Sequence, residues 1–251
     1  MTEAEWKALP WGKGVRVLSS GQDWVAVEKP AGILSHPNGP KDNNRSLLKM
    51  PWKPEEEVYG EEGSLEIGLC HRLDAPTSGI LLLALPAGVD WFAKAFEDGR
   101  VKKTYLAVGV GRPRNRSFAW KDRLVRGREE GKVRVRVGGN GVQAQTDGRE
   151  LEFRRDPLPL TLLELKPHTG RTHQIRVQAA KHGLPILGDR NYGDFGANRI
   201  FQRAKGSQNL FRHAAELVWK REGRDIKVVS KPPEDFGKLF PAFGKAVLRK
   251  R

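Results

Sequence analysis

Apolar and polar positions fall into short blocks along the chain, and most blocks are too brief for helices. Val15–Leu18 and Trp24–Glu28 read as two strands parted by a Ser-Gly-Gln-Asp turn. Leu65–Leu69 predicts a third strand, and the unbroken apolar run Ile80–Leu85 a fourth, buried on both faces. In Asp90–Asp98 the large apolar residues Trp91, Phe92, Ala95 and Phe96 share one helical face, and Gly99 stops the element. Lys103–Val110 reads as a strand, and Arg112–Arg128 as a basic, irregular stretch. Lys132–Val137 alternates strictly, which predicts a half-exposed strand with Lys132, Arg134 and Arg136 outward. Gln143–Thr146 and Glu150–Arg154 suggest a hairpin, followed by a strand at Leu160–Lys166. Thr172–Lys181 predicts a helix with Thr172 as N-cap and Gly183 as stop. Ala214–Trp219 is a further core strand, and Phe236, Leu239, Phe240 and Phe243 mark a short helix packing back before a basic end, Leu248–Arg251.

Many short strands with two or three helices predict an α+β fold with a mixed, mostly antiparallel central sheet, flanking helices and long loops. With no repeat and no obvious linker, residues 1–251 are expected to form one domain. Residues 1–14 read as a loosely structured arm. Residues 36–63, polar and rich in Pro, Gly, Asn and Glu, read as a surface insertion, a long loop ordered only with a ligand.

Charge changes the picture. Forty-five Lys and Arg against 30 Asp and Glu leave a net charge of +15, which points to a polyanionic partner, most simply nucleic acid. No run is long and apolar enough to predict a transmembrane helix, and the first residues show no apolar signal region. A single cysteine, Cys70, fits a reducing cytoplasm and excludes Cys-pair metal sites. The six histidines show no metal-ligand spacing, so no metal is expected. There is no G-x-S-x-G elbow for a serine hydrolase, and no glycine-rich phosphate loop of the nucleotide-binding kinds.

Three constellations could carry chemistry. The first is Cys70–Ala84, CHRLDAPTSGILLLA, which places Asp74, beside His71 and Arg72, on a tight loop between two core strands. A reactive acid on a short loop held by rigid strands suits catalysis. The second is Lys103–Thr104–Tyr105, an aromatic on a strand among cations. The third is Thr169–Gln178, TGRTHQIRVQ, where a glycine turn meets a helix start bearing Arg171, Thr172 and His173, with Arg176 one turn further on. Two arginines and a histidine there suit an anion.

Taken in order, these blocks resemble the RluA-type pseudouridine synthases. HRLD with Thr77–Ser78–Gly79 and the leucine strand is similar to the family signature. WVAVEKPAG (24–32), KTYLA (103–107), the run from Pro167 to Arg176 with Leu184–Gly193, and RHAAELVW (212–219) resemble its other blocks. Glu28 stands where the family usually has Asn, and Leu85 where a Lys is common. No S4-type RNA-binding module precedes Val15.

The resemblance implies the pseudouridine synthase catalytic fold and an enzyme that isomerises uridine in ribosomal or transfer RNA without metal or cofactor. It implies Asp74 as the catalytic carboxylate, Tyr105 as a stacking aromatic and Arg176, ahead of Arg171, as the cation keeping Asp74 charged. The target uridine would flip out of the RNA, with Arg72 filling the space. His71, Thr77, Lys103, Arg171, His173 and Gln174 would line the site or contact RNA. The enzyme is expected to act in the cytoplasm as a monomer with no required protein partner. A catalytically inactive RNA-binding or ribosome-assembly protein on the same fold is the alternative, and intact Asp74, Tyr105 and Arg176 argue against it.

Overall fold

The computed structural model describes residues 1–129 and 132–244; the side chain of Lys132 and the basic end Leu248–Arg251 lie outside the described residues. In chain order the elements are α1 (Glu3–Ala8), β1 (Arg16–Ser20), β2 (Trp24–Lys29), a 3-10 turn (Pro40–Arg45), β3 (Trp52–Lys53), β4 (Val58–Tyr59), β5 (Ile67–Leu69), β6 (Ser78–Ala84) and α2 (Pro86–Glu97). There follow β7 (Lys102–Val110), β8 (Ser117–Glu129), β9 (Lys132–Val137), β10 (Val142–Arg154), β11 (Leu160–Pro167), α3 (Gln174–Lys181), α4 (Phe195–Lys205), β12 (Arg212–Arg221), β13 (Arg224–Val229) and α5 (Glu234–Leu239). The class is α+β with mostly antiparallel pairing, as the pattern predicts. The chain forms two compact units: residues 1–102 with 214–231, and residues 103–213 with 232–251.

In the first unit β6 is the axis. It pairs antiparallel with β2 from Trp24↔Ala84 to Lys29↔Gly79, and its far end pairs with β5. The short strands β4 and β3 continue outward, β1 pairs β2, and β12 neighbours β6 and carries β13. Every residue of β6 is buried, so its unbroken apolar run has no polar face to spare. One side of it packs with Trp24, Ala26, Phe92, Ala95 and Trp219; Trp24 and Phe92 meet Trp219 edge-on at 5.0 and 5.7 Å. Removing a leucine side chain from such a core costs about 2–5 kcal/mol.

Two parts of this unit are more ordered than the polar pattern predicts. The first fourteen residues are not a loose arm. Thr2 and Glu5 form a capping box for α1, and Trp6 is fully buried, its Nε1 donating to the Gly21 carbonyl at 3.0 Å. The T-x-x-E pattern is the signal for that cap. In the 36–63 segment, Leu47, Leu48 and Tyr59 are fully buried, and Tyr59 donates to the Ser35 carbonyl at 2.7 Å. A few apolar anchors order a segment whose average composition is polar.

The second unit is an antiparallel array ordered β7-β11-β10-β8-β9. From Ser117 on, the basic stretch expected to be irregular is the 13-residue strand β8, while residues 112–116 lie outside any strand. The expected hairpin over 143–154 is the single strand β10, with an irregularity at Glu150/Glu152. Both extend because each finds a long partner, and cross-strand pairing outweighs a polar composition. In β9, Val135 packs inward with Leu124, Ala144 and Val177, while Arg136 is exposed, which matches the alternation.

Candidate active site

The signature turn in the first unit connects β5 to β6. The Asp74 carbonyl accepts from the Thr77 amide at 2.9 Å, closing the turn. The backbone on either side of Asp74 is clasped by residues 29–35. Ser35 Oγ accepts from the Leu73 amide at 3.1 Å and donates to the Leu73 carbonyl at 2.8 Å. The Ala75 carbonyl accepts from the Gly32 amide at 2.8 Å and from Lys29 Nζ at 3.1 Å. Lys29 is fully buried, and its ammonium also donates to the carbonyls of Ile33 and Pro30 at 2.7 and 3.1 Å. A buried ammonium needs this kind of oxygen cage to offset its desolvation. Residues 29–35 therefore hold both neighbours of Asp74, the K-P-A-G block gripping Ala75 and Ser35 gripping Leu73, while Asp74 itself is partly exposed.

The other residues of this turn divide by role. The Leu82 amide donates to His71 Nε2 at 3.1 Å, which places the ring proton on Nδ1 and ties the turn to β6. Arg72 points outward and pairs with Glu57 at 2.9 Å, both about half exposed. Thr77 is fully buried, and its Oγ1 has no hydrogen-bond partner among the described residues. At Gly79 φ is 113°, and a Cβ would lie 2.2 Å from the Ala214 carbonyl oxygen, so only glycine fits.

In the second unit β7 carries Lys103 and Tyr105. Tyr105 is 9% exposed, and the Arg212 guanidinium lies 5.7 Å from its ring centroid. Contacts of that length are favourable cation–π pairs. Lys103 Nζ donates to the Thr169 carbonyl at 3.3 Å, and burial pulls its ammonium down to about 8.

The T-G-R-T-H-Q-I-R block forms a turn and the start of α3. The helix begins two residues later than expected, and its N-cap is His173 rather than Thr172. His173 has φ 53°, and its Nδ1 is hydrogen-bonded with the Tyr192 hydroxyl at 2.8 Å; that hydroxyl accepts from the Val135 amide at 3.0 Å. With His173 left-handed, Thr172 sits before the bend and outside capping geometry. Gln174 is buried and acts as a hub. Its Oε1 accepts from Thr169 Oγ1 at 2.6 Å and the Arg171 amide at 3.1 Å, and its Nε2 donates to the Gln145 carbonyl and Thr146 Oγ1, both at 3.0 Å. A saturated, buried amide positions the turn. Arg171 remains on the surface.

Arg176 is 4% exposed and forms a fork with Asp189, Nε to Oδ2 at 2.7 Å and Nη2 to Oδ1 at 2.8 Å. Asp189 Oδ1 also accepts from the amides of Asn191 and Tyr192 at 2.8 and 3.1 Å, and the Tyr192 ring lies 5.1 Å from the guanidinium. Burial pushes the Asp189 carboxyl up, but the Arg176 fork and the two amides outweigh it and hold it below its usual range. Sequence reasoning missed Asp189 and Tyr192 as partners of Arg176 and His173. Both stand in the Leu184–Gly193 block, and nothing in one sequence says which side chain a block delivers to which helix.

Comparison with known proteins supplies the family. A family model described as RNA pseudouridylate synthase matches residues 23–181, a span that contains Asp74, Tyr105 and Arg176. The tRNA pseudouridine synthase C of Pasteurella multocida is 32% identical over 215 residues, 78% of this chain and 81% of that one. The protein of the same name from Vibrio parahaemolyticus is 28% identical over 240 residues, 91% of this chain and 95% of its own. Among solved structures, human RNA Pseudouridylate Synthase Domain Containing 1 matches with a TM-score of 0.67 and 25% identity, over 88% of this chain and 84% of that one. The ordered sequence blocks, the fold and these matches agree, and this chain belongs to the RNA pseudouridylate synthase family.

Proposed function

We propose that this enzyme isomerises particular uridines of transfer RNA to pseudouridine, with Asp74 as its catalytic carboxylate. The observation that carries the assignment is the clasp on both neighbours of Asp74, within a span matched by the family model. Backbone held on both sides gives an acid a defined position. The reaction breaks the C1′–N1 bond, turns the base and forms C1′–C5; the base loses the hydrogen at C5 and gains one at N1. Asp74 serves it as a nucleophile on sugar or base, or as a base at the 2′ position. Tyr105 stacks on the uracil, a contact worth about 1–3 kcal/mol. Arg176 is the cation that favours an ionised carboxylate, the fork with Asp189 holding its guanidinium in place. Flipping the target nucleotide costs a few kcal/mol. Arg72, exposed at the edge of the turn, is the side chain suited to fill the gap. The enzyme works as a monomer in the cytoplasm and needs no cofactor or protein partner. Transfer RNA is preferred over ribosomal RNA because the relatives from Pasteurella and Vibrio carry that substrate in their names.

The test is to delete the gene, map pseudouridine across transfer and ribosomal RNA, and treat the extracted RNA with purified protein. Sites in transfer RNA should disappear and return with wild type, while Asp74→Asn should be slower by about 10²–10⁴-fold, the scale of a positioned acid–base or nucleophilic group. Lost sites confined to ribosomal RNA would overturn the transfer RNA assignment. Full restoration by Asp74→Asn would remove Asp74 from the chemistry.

A further inference from the structure

Where the Leu184–Gly193 block meets α4, the second unit has a pocket of about 210 Å³ between α4 and the turns at 188–190 and 207–208. Phe195 stands at its mouth, 54% exposed, although α4 has only Ala197 and Phe201 to bury and needs no outward ring. Amide and hydroxyl side chains line the wall: Asn198, Gln202, Ser207 and Gln208. Arg190 and Arg199 form part of the lining, and Arg203 lies one turn beyond Arg199 on the same helix. Arg199 and Arg203 make no ion pair among the described residues; Arg190 rests on Gln208 at 2.6 Å. The exposed acid of this segment, Asp194, is occupied in capping the Ala197 amide at 2.9 Å.

A solvent-exposed aromatic face, the Gln202 amide beside an Asn198 already spent on Gly188 and Asp189, and guanidinium groups that hold no carboxylate among the described residues are parts a single-stranded nucleotide requires. An apolar protein segment would leave the guanidinium groups of the rim without an anion to meet. We propose that this pocket binds one unpaired nucleotide of the RNA substrate, away from the reacting uridine, with its base on Phe195 and its phosphate on Arg190 and Arg199. The proposal rests on the reading of the chain as an enzyme acting on RNA, and it makes the pocket an anchor for RNA segments that are not base-paired.

The test uses the full chain and two fluorescein-labelled RNAs, a single-stranded octamer of mixed sequence and a hairpin with a minimal loop. Phe195→Ala and Phe195→Leu should each weaken octamer binding by about tenfold, the scale of one lost stacking contact. Hairpin affinity should change far less. Arg199→Gln should weaken the octamer and reduce its log–log salt slope by about 0.7. Circular dichroism should show all three variants folded, since the replaced side chains are exposed. Octamer affinity equal to wild type in Phe195→Ala overturns the proposal. So does full retention in Phe195→Leu, which would indicate apolar docking of a protein segment. Failure of wild type to bind the octamer also overturns it. Asp74→Asn, assayed in parallel, separates the two readings: it should bind the octamer normally and fail only in isomerisation.

Discussion

The Asp74 turn and the Arg176 fork are each held by residues distant in sequence, but by different chemistry. Around Asp74 the contacts are neutral or reach backbone oxygens: Ser35 grips Leu73, while Gly32 and Lys29 grip Ala75. Arg176 is held by its own charged group, with Asp189 engaging Nε and Nη2 in a buried pair. Holding the backbone on both sides sets the place from which the Asp74 side chain extends. An arginine can be fixed through its head group and still supply a field, because a delocalised guanidinium keeps its charge while two of its nitrogens are engaged along one edge.

The difference predicts a ranking. Asp189→Asn breaks the buried fork and leaves Arg176 charged and poorly paired, which should destabilise folding by about 3–5 kcal/mol. Denaturant unfolding would measure it, and a matched apolar pair, Arg176→Met with Asp189→Leu, should recover much of the loss while activity stays absent. If Asp189→Asn unfolds at the same denaturant concentration as wild type, the fork is not an anchor. The pair also has a pH signature. A carboxyl lowered in the folded state adds stability that is complete above its ordinary value and is lost as pH falls through the lowered one. Melting temperature should therefore decline below about pH 4, and less steeply in Asp189→Asn.

Around Asp74 the losses should be smaller in stability and larger in turnover. Ser35→Ala removes the partner of two buried backbone groups and should cost about 1–3 kcal/mol. Its kcat should fall while RNA affinity changes little, because the carboxylate is displaced rather than removed. A proportional loss in RNA binding would deny Ser35 this positioning role.

Lys103 should give a weaker effect with a definite sign. Its ammonium is lowered to about 8 by burial, so between that value and its ordinary one the unfolded chain binds more protons than the folded chain. Stability of wild type relative to Lys103→Met should rise as pH increases from 8 to 10 in thermal melts. The smallest stability effect belongs to Arg72→Ala. Its pair with Glu57 is about half exposed and should contribute less than about 1 kcal/mol. A clear drop in isomerisation rate without a change in melting temperature would assign Arg72 to RNA.

The strands and most of the site were readable wherever one segment carried its own reason. β6 announces itself as an unbroken apolar run, and β9 by alternation. Lys29–Gly32, Asp74, Tyr105 and Arg176 stand in blocks whose order resembles one family. What stayed hidden depends on partners. β8 and β10 read as broken because their pairing is non-local. α4 was not predicted at all, since only Ala197 and Phe201 face inward and the stripe is too thin to register. The 36–63 segment looked loose because three buried anchors among many polar residues do not alter an average. The fork needed Asp189, thirteen residues from Arg176, and no periodicity links the two.

The close approach of Gly79 to Ala214 has a consequence for synthesis on the ribosome. The first unit is discontinuous, and β6 has β12 as a neighbour contributed by residues translated more than a hundred positions later. Until that segment emerges, an apolar strand retains an open edge, the kind of surface that pairs with other nascent chains. Slow translation between β6 and β12 should lower the soluble yield, and a trigger-type chaperone should raise it. The contact that excludes every side chain at position 79 is thus also one of the last this unit can make.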